Sequence, residues 1–247
     1  MYKYRSLPNT NTQLLRVMAA VPTMFQCMVR SLVEYDLRRM FRNSVDNTNI
    51  EQARPRAPGS LGQDVIDPHS CEWVIGSLTL RTLGYSVFVF RNGKVKISGG
   101  SKRFQTNDYN AWLRDDVVTP VMKVLHELNG TQPTPYEHKL CLLNGSMSLG
   151  TVRDYKNLCF RIYQAVSNHP YFVKAVLPVC FQSNGWLMKR GRVCSIAIYF
   201  RSPDSPKLSS VRFDQGGRVQ FFALKSMEEL RRASIELRTF LDPISGQ

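Results

Sequence analysis

Acidic residues are in short supply in this chain: 19 Asp and Glu stand against 33 Lys and Arg, a formal net charge of +14 over 247 residues. Such an excess of cations favours polyanionic partners, because neutralised phosphates release condensed counterions. It fits specific nucleic-acid binding and equally a packing protein that only tolerates charge, and it is silent on fold. No apolar stretch reaches the roughly 18 residues that a membrane-spanning helix needs, and no signal-like apolar run follows Met1-Tyr2-Lys3-Tyr4-Arg5. A soluble intracellular protein with no membrane partner is expected. The six cysteines, Cys27, Cys71, Cys141, Cys159, Cys180 and Cys194, form no CxxC pair, and His69, His126, His138 and His169 show no metal-ligand spacing. Zinc and a disulfide framework are not expected, and a reducing compartment fits best. Catalytic signatures are missing too: there is no P-loop, HExxH or GxSxG. Asp115 and Asp116 are neighbours on a helical pattern and so point apart, unlike a metal-binding carboxylate cluster. Neither enzyme chemistry nor a cofactor is expected.

What the chain does hold is an apolar content of 43%, enough for a real core, and 11% aromatics. Residues 14–21 read as a short strand. Pro22-Thr23 then opens a helical spacing of Phe25, Met28, Leu32, Val33, Leu37 and Met40, through about Arg42. Residues 44–70, with three prolines and two glycines, read as a linker or long loop. WVIGSLTLR (73–81) alternates as a strand, with Ser77, Thr79 and Arg81 opposite Leu78 and Leu80. A hairpin follows, YSVFVFR and KVKIS around Asn92-Gly93, the turn dipeptide that tolerates positive φ. Val87, Val89, Val95 and Ile97 share its inner face; Phe88, Phe90, Lys94, Lys96 and Ser98 share the outer. Residues 104–128 read as a helix that Pro120 kinks or divides.

The same order then recurs. KLCLL (139–143) is a strand, and Thr151 with Asp154 forms a capping pattern for a helix carrying Tyr155, Leu158, Cys159 and Ile162. VCSIAIYFR (193–201) is a strand with Cys194, Ile196, Ile198 and Phe200 inward. VRFDQGGRVQFFA (211–223) is a hairpin, and Ser226 with Glu229 caps a last helix. We read residues 1–130 and 131–247 as two repeats of one unit, of α+β class. The comparison sets FRNGKVKIS beside FDQGGRVQFF, with the second turn a residue longer. Each unit has a sheet whose inner face packs under helices and whose outer face shows aromatics beside cations. That composition suits nucleic acid; a protein-binding surface is the rival reading.

Two motifs carry a resemblance to a known family: VFVFRNGKVKISGG (87–100) and KLCLLNGSMSL (139–149). With the repeat order, the chain resembles the TATA-box-binding protein family over about residues 14–43 and 71–241. The resemblance implies a pseudo-twofold saddle, a curved antiparallel sheet with helices on its convex face. It implies a transcription-initiation factor whose aromatic side chains wedge into the minor groove of promoter DNA and bend it. Double-stranded DNA, RNA polymerase and a B-type initiation factor are the implied partners. Carried over by motif, the wedge positions fall at Phe90 with Trp73 and at Phe213 with Val193. The groove-floor positions fall at Lys96 and Ser98, and at Gln220 and Phe222. In the strand opening the second repeat the family's Asn and Val positions hold Leu142 and Asn144; Arg16 and Met18 are guesses for the first. Lys94 and Arg218 flank the two turns, within reach of phosphate or merely solvated. The tips, Arg91-Asn92 and Asp214-Gln215, match the family's partner-recruiting turns.

The chain departs from the family where contact would be made. Lys96 replaces a small apolar floor residue, Leu142 loses a base-contacting amide, and Val193 is a poor wedge. Trp73 reads equally as a buried strand tryptophan. The divergence resembles the TATA-binding-like proteins of large DNA viruses, which gives two expected locations, the nucleus or a cytoplasmic virus factory or virion. A saddle that has lost DNA binding and serves as a protein-interaction platform is the alternative function. The same fold serves as an accessory domain in some DNA glycosylases and ribonucleases H, but no helix-hairpin-helix run accompanies it here.

Overall fold

The structure is a computed structural model, and it describes residues 19–57, 75–101, 104, 108–150, 152, 154–178, 195–202 and 206–245. Ten strands form one antiparallel sheet: β1 (Val21–Ser31), β2 (Ile50–Arg56), β3 (Ser77–Thr82), β4 (Tyr85–Phe90), β5 (Lys94–Gly100), β6 (Tyr136–Ser148), β7 (Phe172–Val176), β8 (Ser195–Arg201), β9 (Leu208–Asp214) and β10 (Arg218–Leu224). Their order across the sheet is β2-β3-β4-β5-β1-β6-β10-β9-β8-β7. Reading outward from the β1–β6 junction, each half runs through its strands in the same sequence. The α+β class and the single curved sheet agree with the sequence expectation.

The first strand differs from that expectation. In place of a helix from Pro22 to about Arg42, the chain forms β1 followed by a short helix α1 (Leu37–Ser44). Phe25, Cys27 and Val29 are fully buried, every second residue, which is strand periodicity. Phe25 and Met28 fit one helical stripe by spacing, but in the strand they lie on opposite faces of the sheet. Pro22 does not open a helix; it pairs with Gly145 at an irregularity, where a missing N–H is tolerated. Residues 14–18 lie outside the described residues. The 44–70 linker contains β2, an edge strand whose outward residues are charged, so no alternation of apolar side chains betrays it.

Two bulges shape the centre. Along the β1–β6 ladder, Thr23 is an extra residue on one strand and Cys141 on the other. Each bulge bends its strand and sharpens the local twist. They lie at matching places in the two halves, so the curvature at the junction is balanced.

The described helices lie against one face of the sheet. The helix α2 begins as Tyr109–Trp112, passes through a π-helical stretch Leu113–Val118 and continues as Thr119–Asn129. Pro120 therefore neither ends nor divides it. Proline lacks an N–H and its ring crowds the carbonyl four residues back; the wider π turn just before it accommodates both. Gly130, at φ 65°, caps the end. In the second half α3 (Tyr155–Ala165) starts after Asp154, whose carboxylate accepts the Asn157 N–H. Asp154 is thus the N-cap itself rather than the third residue of a box opened by Thr151. The last helix, α4 (Met227–Ser245), has its expected cap: Ser226 Oγ accepts the Glu229 N–H at 3.1 Å, and Glu229 reaches back to the Lys225 N–H at 2.6 Å. None of the described helices is long and apolar enough to cross a membrane.

Close approach at the core has local causes. Leu230 of α4 lies over Gly145 of β6, where a Cβ would come within 2.5 Å of its Cδ1. Phe25 meets Trp112 and Tyr85 edge-on at 5.6 and 5.8 Å. Tyr155 reaches from α3 into the sheet. Its hydroxyl donates to the Phe213 carbonyl at 2.5 Å and accepts the Ile196 N–H at 2.9 Å. Those two residues are opposite one another in the β8–β9 ladder, so the hydroxyl links the strands from within, and burial holds its phenol well above the ordinary tyrosine range. Tyr155→Phe leaves a buried donor and acceptor without this partner, and urea unfolding is expected to show a loss of about 1–3 kcal/mol.

His126 is buried on α2 and ties down the segment leading to β6. Its Nε2 accepts the Thr134 N–H at 3.5 Å, which puts the proton on Nδ1, 3.1 Å from Thr131 Oγ1. Burial lowers its pKa below the ordinary 6.5. The neutral ring is therefore the folded form, and its contribution is complete above the unfolded value and lost as pH falls through the lower folded one. The melting temperature is expected to fall as pH drops below the ordinary imidazole value of 6.5, and to fall less in His126→Asn.

Candidate nucleic-acid interface

Side chains opposite the helices form the open face, and cross-strand register says which they are. In the first half the rows run Arg54–Thr79–Phe88–Lys96–Met28 and Arg56–Ser77–Phe90. In the second they run Ser146–Gln220–Arg212–Ala197–Val176 and Phe222–Ser210–Tyr199–Lys174. Arg30, Lys94 and Glu137 lie together on this face at the end of β1.

Rings on this face come with cations. The Phe88 ring lies 5.7 Å from both the Arg56 guanidinium and the Lys96 ammonium. Arg212 lies 5.1 Å from the Phe222 ring, and Lys174 5.0 Å from the Tyr199 ring. Such pairs hold charged groups close to apolar flats without burying them. Strand alternation places Phe88 on the outer face but assigns it no role, and nothing in the sequence singles out Arg56, Arg212, Tyr199 or Lys174. The cations of the edge strands carry no local pattern; only the sheet order sets them beside a ring.

Of the expected wedges, Phe90 is exposed at 37%, on the open face at the end of β4. Phe213 is not a wedge. It is 1% exposed, facing the helices and meeting Tyr155 edge-on at 5.8 Å. The reason is register. Val89 pairs with Val95, and Phe213 pairs with Val219, so both hairpins close over the same number of residues. The second turn is not a residue longer. Phe213 therefore matches Val89, and the place of Phe90 is taken by Asp214. A one-residue offset in a strand carries every side chain to the other face. Trp73 and Val193, the other two expected wedges, lie outside the described residues, as do Arg16 and Met18.

The floor positions Lys96, Ser98, Gln220 and Phe222 do lie on the open face. Ser98 Oγ donates to the Ser86 carbonyl at 3.4 Å. At the centre, Met24 pairs with Asn144 and Gln26 with Leu142, so these four share the middle of the face. Asn144 also supports the fold, since its Oδ1 accepts the Ala223 N–H at 3.2 Å, where Ala223 takes φ 64° at the irregularity in β10. Met24 and Gln26 escape a sequence reading that makes β1 a helix, because their shared face exists only in a strand.

Lys94 and Arg218 are exposed and occupy matching places after the turns. The tips are anchored alike. Ser31 N–H donates to the Gly93 carbonyl at 3.0 Å, and Leu149 N–H to the Gly217 carbonyl at 2.9 Å. Arg91, Asn92 and Gln215 are exposed, whereas Asp214 is folded into its turn, its carboxylate accepting the Arg218 N–H at 3.0 Å. Among the described residues no group of three or more His, Cys, Asp and Glu could hold a metal ion. Burial pushes the Cys27 thiol up to about 12 and the Cys159 thiol up to about 11, which removes nucleophilic character from both.

A curved ten-stranded sheet with helices on one side and this strand order defines the saddle fold of TBP-like proteins. Among solved structures, the chain is similar to the TBP of Methanococcus jannaschii, at a TM-score of 0.54 and 17% identity, covering 93% of this chain and 100% of that one. No family model matches the sequence, and no curated protein matches it.

The two phenylalanines give a direct check of the register. Phe213→Ala empties a buried site and is expected to cost about 3–5 kcal/mol in urea unfolding. Phe90→Ala is expected to stay within about 0.5 kcal/mol of the parent.

Proposed function

We propose that the protein is a TBP-like transcription-initiation factor that binds duplex DNA on its open face and bends it. One observation carries this reading: a continuous ten-stranded surface that the described helices leave open, with rings and cations interleaved across both halves. Cations at Arg54, Arg56, Lys94, Arg212 and Arg218 meet phosphates, and the exposed Phe90 ring enters a base step from the minor groove. Unstacking a step costs a few kcal/mol, which wider contact with the bent duplex offsets. The protein acts by binding and not by catalysis. The exposed tips, Arg91-Asn92 and Gln215, take RNA polymerase or a B-type factor. Its place of action is the nucleus or, for a large DNA virus, the virus factory or virion, where divergent floor positions such as Lys96 and Leu142 are in keeping.

A second reading has its own support. Asn144 is engaged by the fold, Leu142 has no amide to offer, and Asp214 stands where a ring would be, which favours a saddle kept as a protein-interaction platform. An A·T-rich duplex with a dye at each end separates the two. Wild-type protein is expected to shorten the end-to-end distance in energy transfer, with affinity falling steeply with salt at a slope of about −0.9 per phosphate neutralised. Phe90→Ala is expected to reduce the bend. A duplex that stays unbound at low salt leaves the platform as the function.

A further inference from the structure

We infer that the saddle is polar: it seats on duplex DNA in one orientation and unstacks a base step beside Phe90, with no counterpart at the hairpin of the other half. This rests on the DNA-binding reading above and adds direction to it.

The two hairpins are built to one plan. Their closing pairs, Val89↔Val95 and Phe213↔Val219, enclose turns of equal length. Both turns pass through a left-handed glycine, Gly93 at φ 78° and Gly217 at φ 74°. Both glycine carbonyls accept a backbone N–H from the segment at the end of a central strand, Ser31 in one half and Leu149 in the other. With the backbones matched in this way, the residues at one place can be compared directly, and they differ in kind. Phe90 presents a ring at the rim, opposite Ser77. Asp214, opposite Ser195, presents none. Its carboxylate turns back onto the Arg218 N–H, with the Arg218 guanidinium 3.9 Å away. A carboxylate cannot stack on a base, and it repels both phosphates and the acceptor atoms of the minor groove.

The floors differ in their residues. Lys96 and Ser98 in the first half match Gln220 and Phe222 in the second. The first half thus has a ring at the rim, Phe90, and on the floor the Phe88 ring beside Lys96. The second has a ring on the floor, held under Arg212, and an anion at the rim. Flexible pyrimidine–purine steps kink cheaply and A-tracts resist. The DNA that suits this surface carries a flexible step under the first half only, with a stiffer A·T tract under the second.

The test uses the full chain and two duplexes of the length that footprinting shows to be covered. One has a single TA step at one end of the footprint, the other a TA step at both ends; each carries end dyes and a fluorescent adenine analogue beside a TA step. Wild-type protein is expected to bend the two duplexes equally and to bind the two-step duplex tighter by no more than about twofold, the statistical factor for two orientations. Phe90→Ala, at an exposed position, is expected to abolish the rise in analogue fluorescence on both. Asp214→Phe is expected to bend the two-step duplex further than the one-step duplex. If wild-type protein bends the two-step duplex more, or if fluorescence at the TA step still rises in Phe90→Ala, the inference is overturned while DNA binding stands. If neither duplex binds, both fall together. The wild type and the exposed Phe90 variant decide the outcome between them, so a turn that fails to form in Asp214→Phe does not blunt the test.

Discussion

The antiparallel ladder between β1 and β6, running from Val21↔Ser146 to Ser31↔Tyr136, makes one sheet of two five-stranded halves. Neither strand alone has a reason to be central, since each is flanked by a partner from its own half, β5 on one side and β10 on the other. Paired, they bury Phe25, Cys27, Val29 and Leu143 beneath helices from both halves. The bulges at Thr23 and Cys141 bend the ladder without breaking it. Register here decides which residues reach the middle of the open face, because a one-residue slip would exchange Met24 and Gln26 for the core residues beside them.

The helices make that open face usable by claiming the other one. Their contacts need close approach in a few places, and small or unusual residues provide it: Gly145 beneath Leu230, and the π turn ahead of Pro120. Tyr155 goes further and takes part in the sheet's own hydrogen bonding. A sheet packed against helices on one side presents its other side as a continuous surface.

Two halves of one plan need not carry the same chemistry. The backbone of each hairpin is tied down by the same pattern of glycine and carbonyl, so side chains at the rim and floor are free to diverge. Here they differ in charge and in shape, with Phe90 against Asp214 and Lys96 against Gln220. A shared fold at 17% identity is possible because the core positions that set it can be met by many apolar residues.

Local chemistry was enough to place the hairpin at Asn92-Gly93, the end of α2 at Gly130, the cap at Ser226 and Glu229, and the inner faces of β3, β4, β5 and β8. In each case a turn residue or an unbroken alternation speaks for itself over a few residues. The sequence was not enough for β1, whose apolar residues fit two periods at once, or for β2, whose exposed side is charged like a linker. Nor could it align the hairpins across the halves, because matching Phe90 to Phe213 by letter ignores the pairing that sends Phe213 into the core. Strand order, register and the meeting of Arg56 with Phe88 depend on contacts between residues far apart in the chain. The physical reason is that side-chain direction in a sheet is set by the partner strand, and the partner is chosen only when the whole sheet closes on its core.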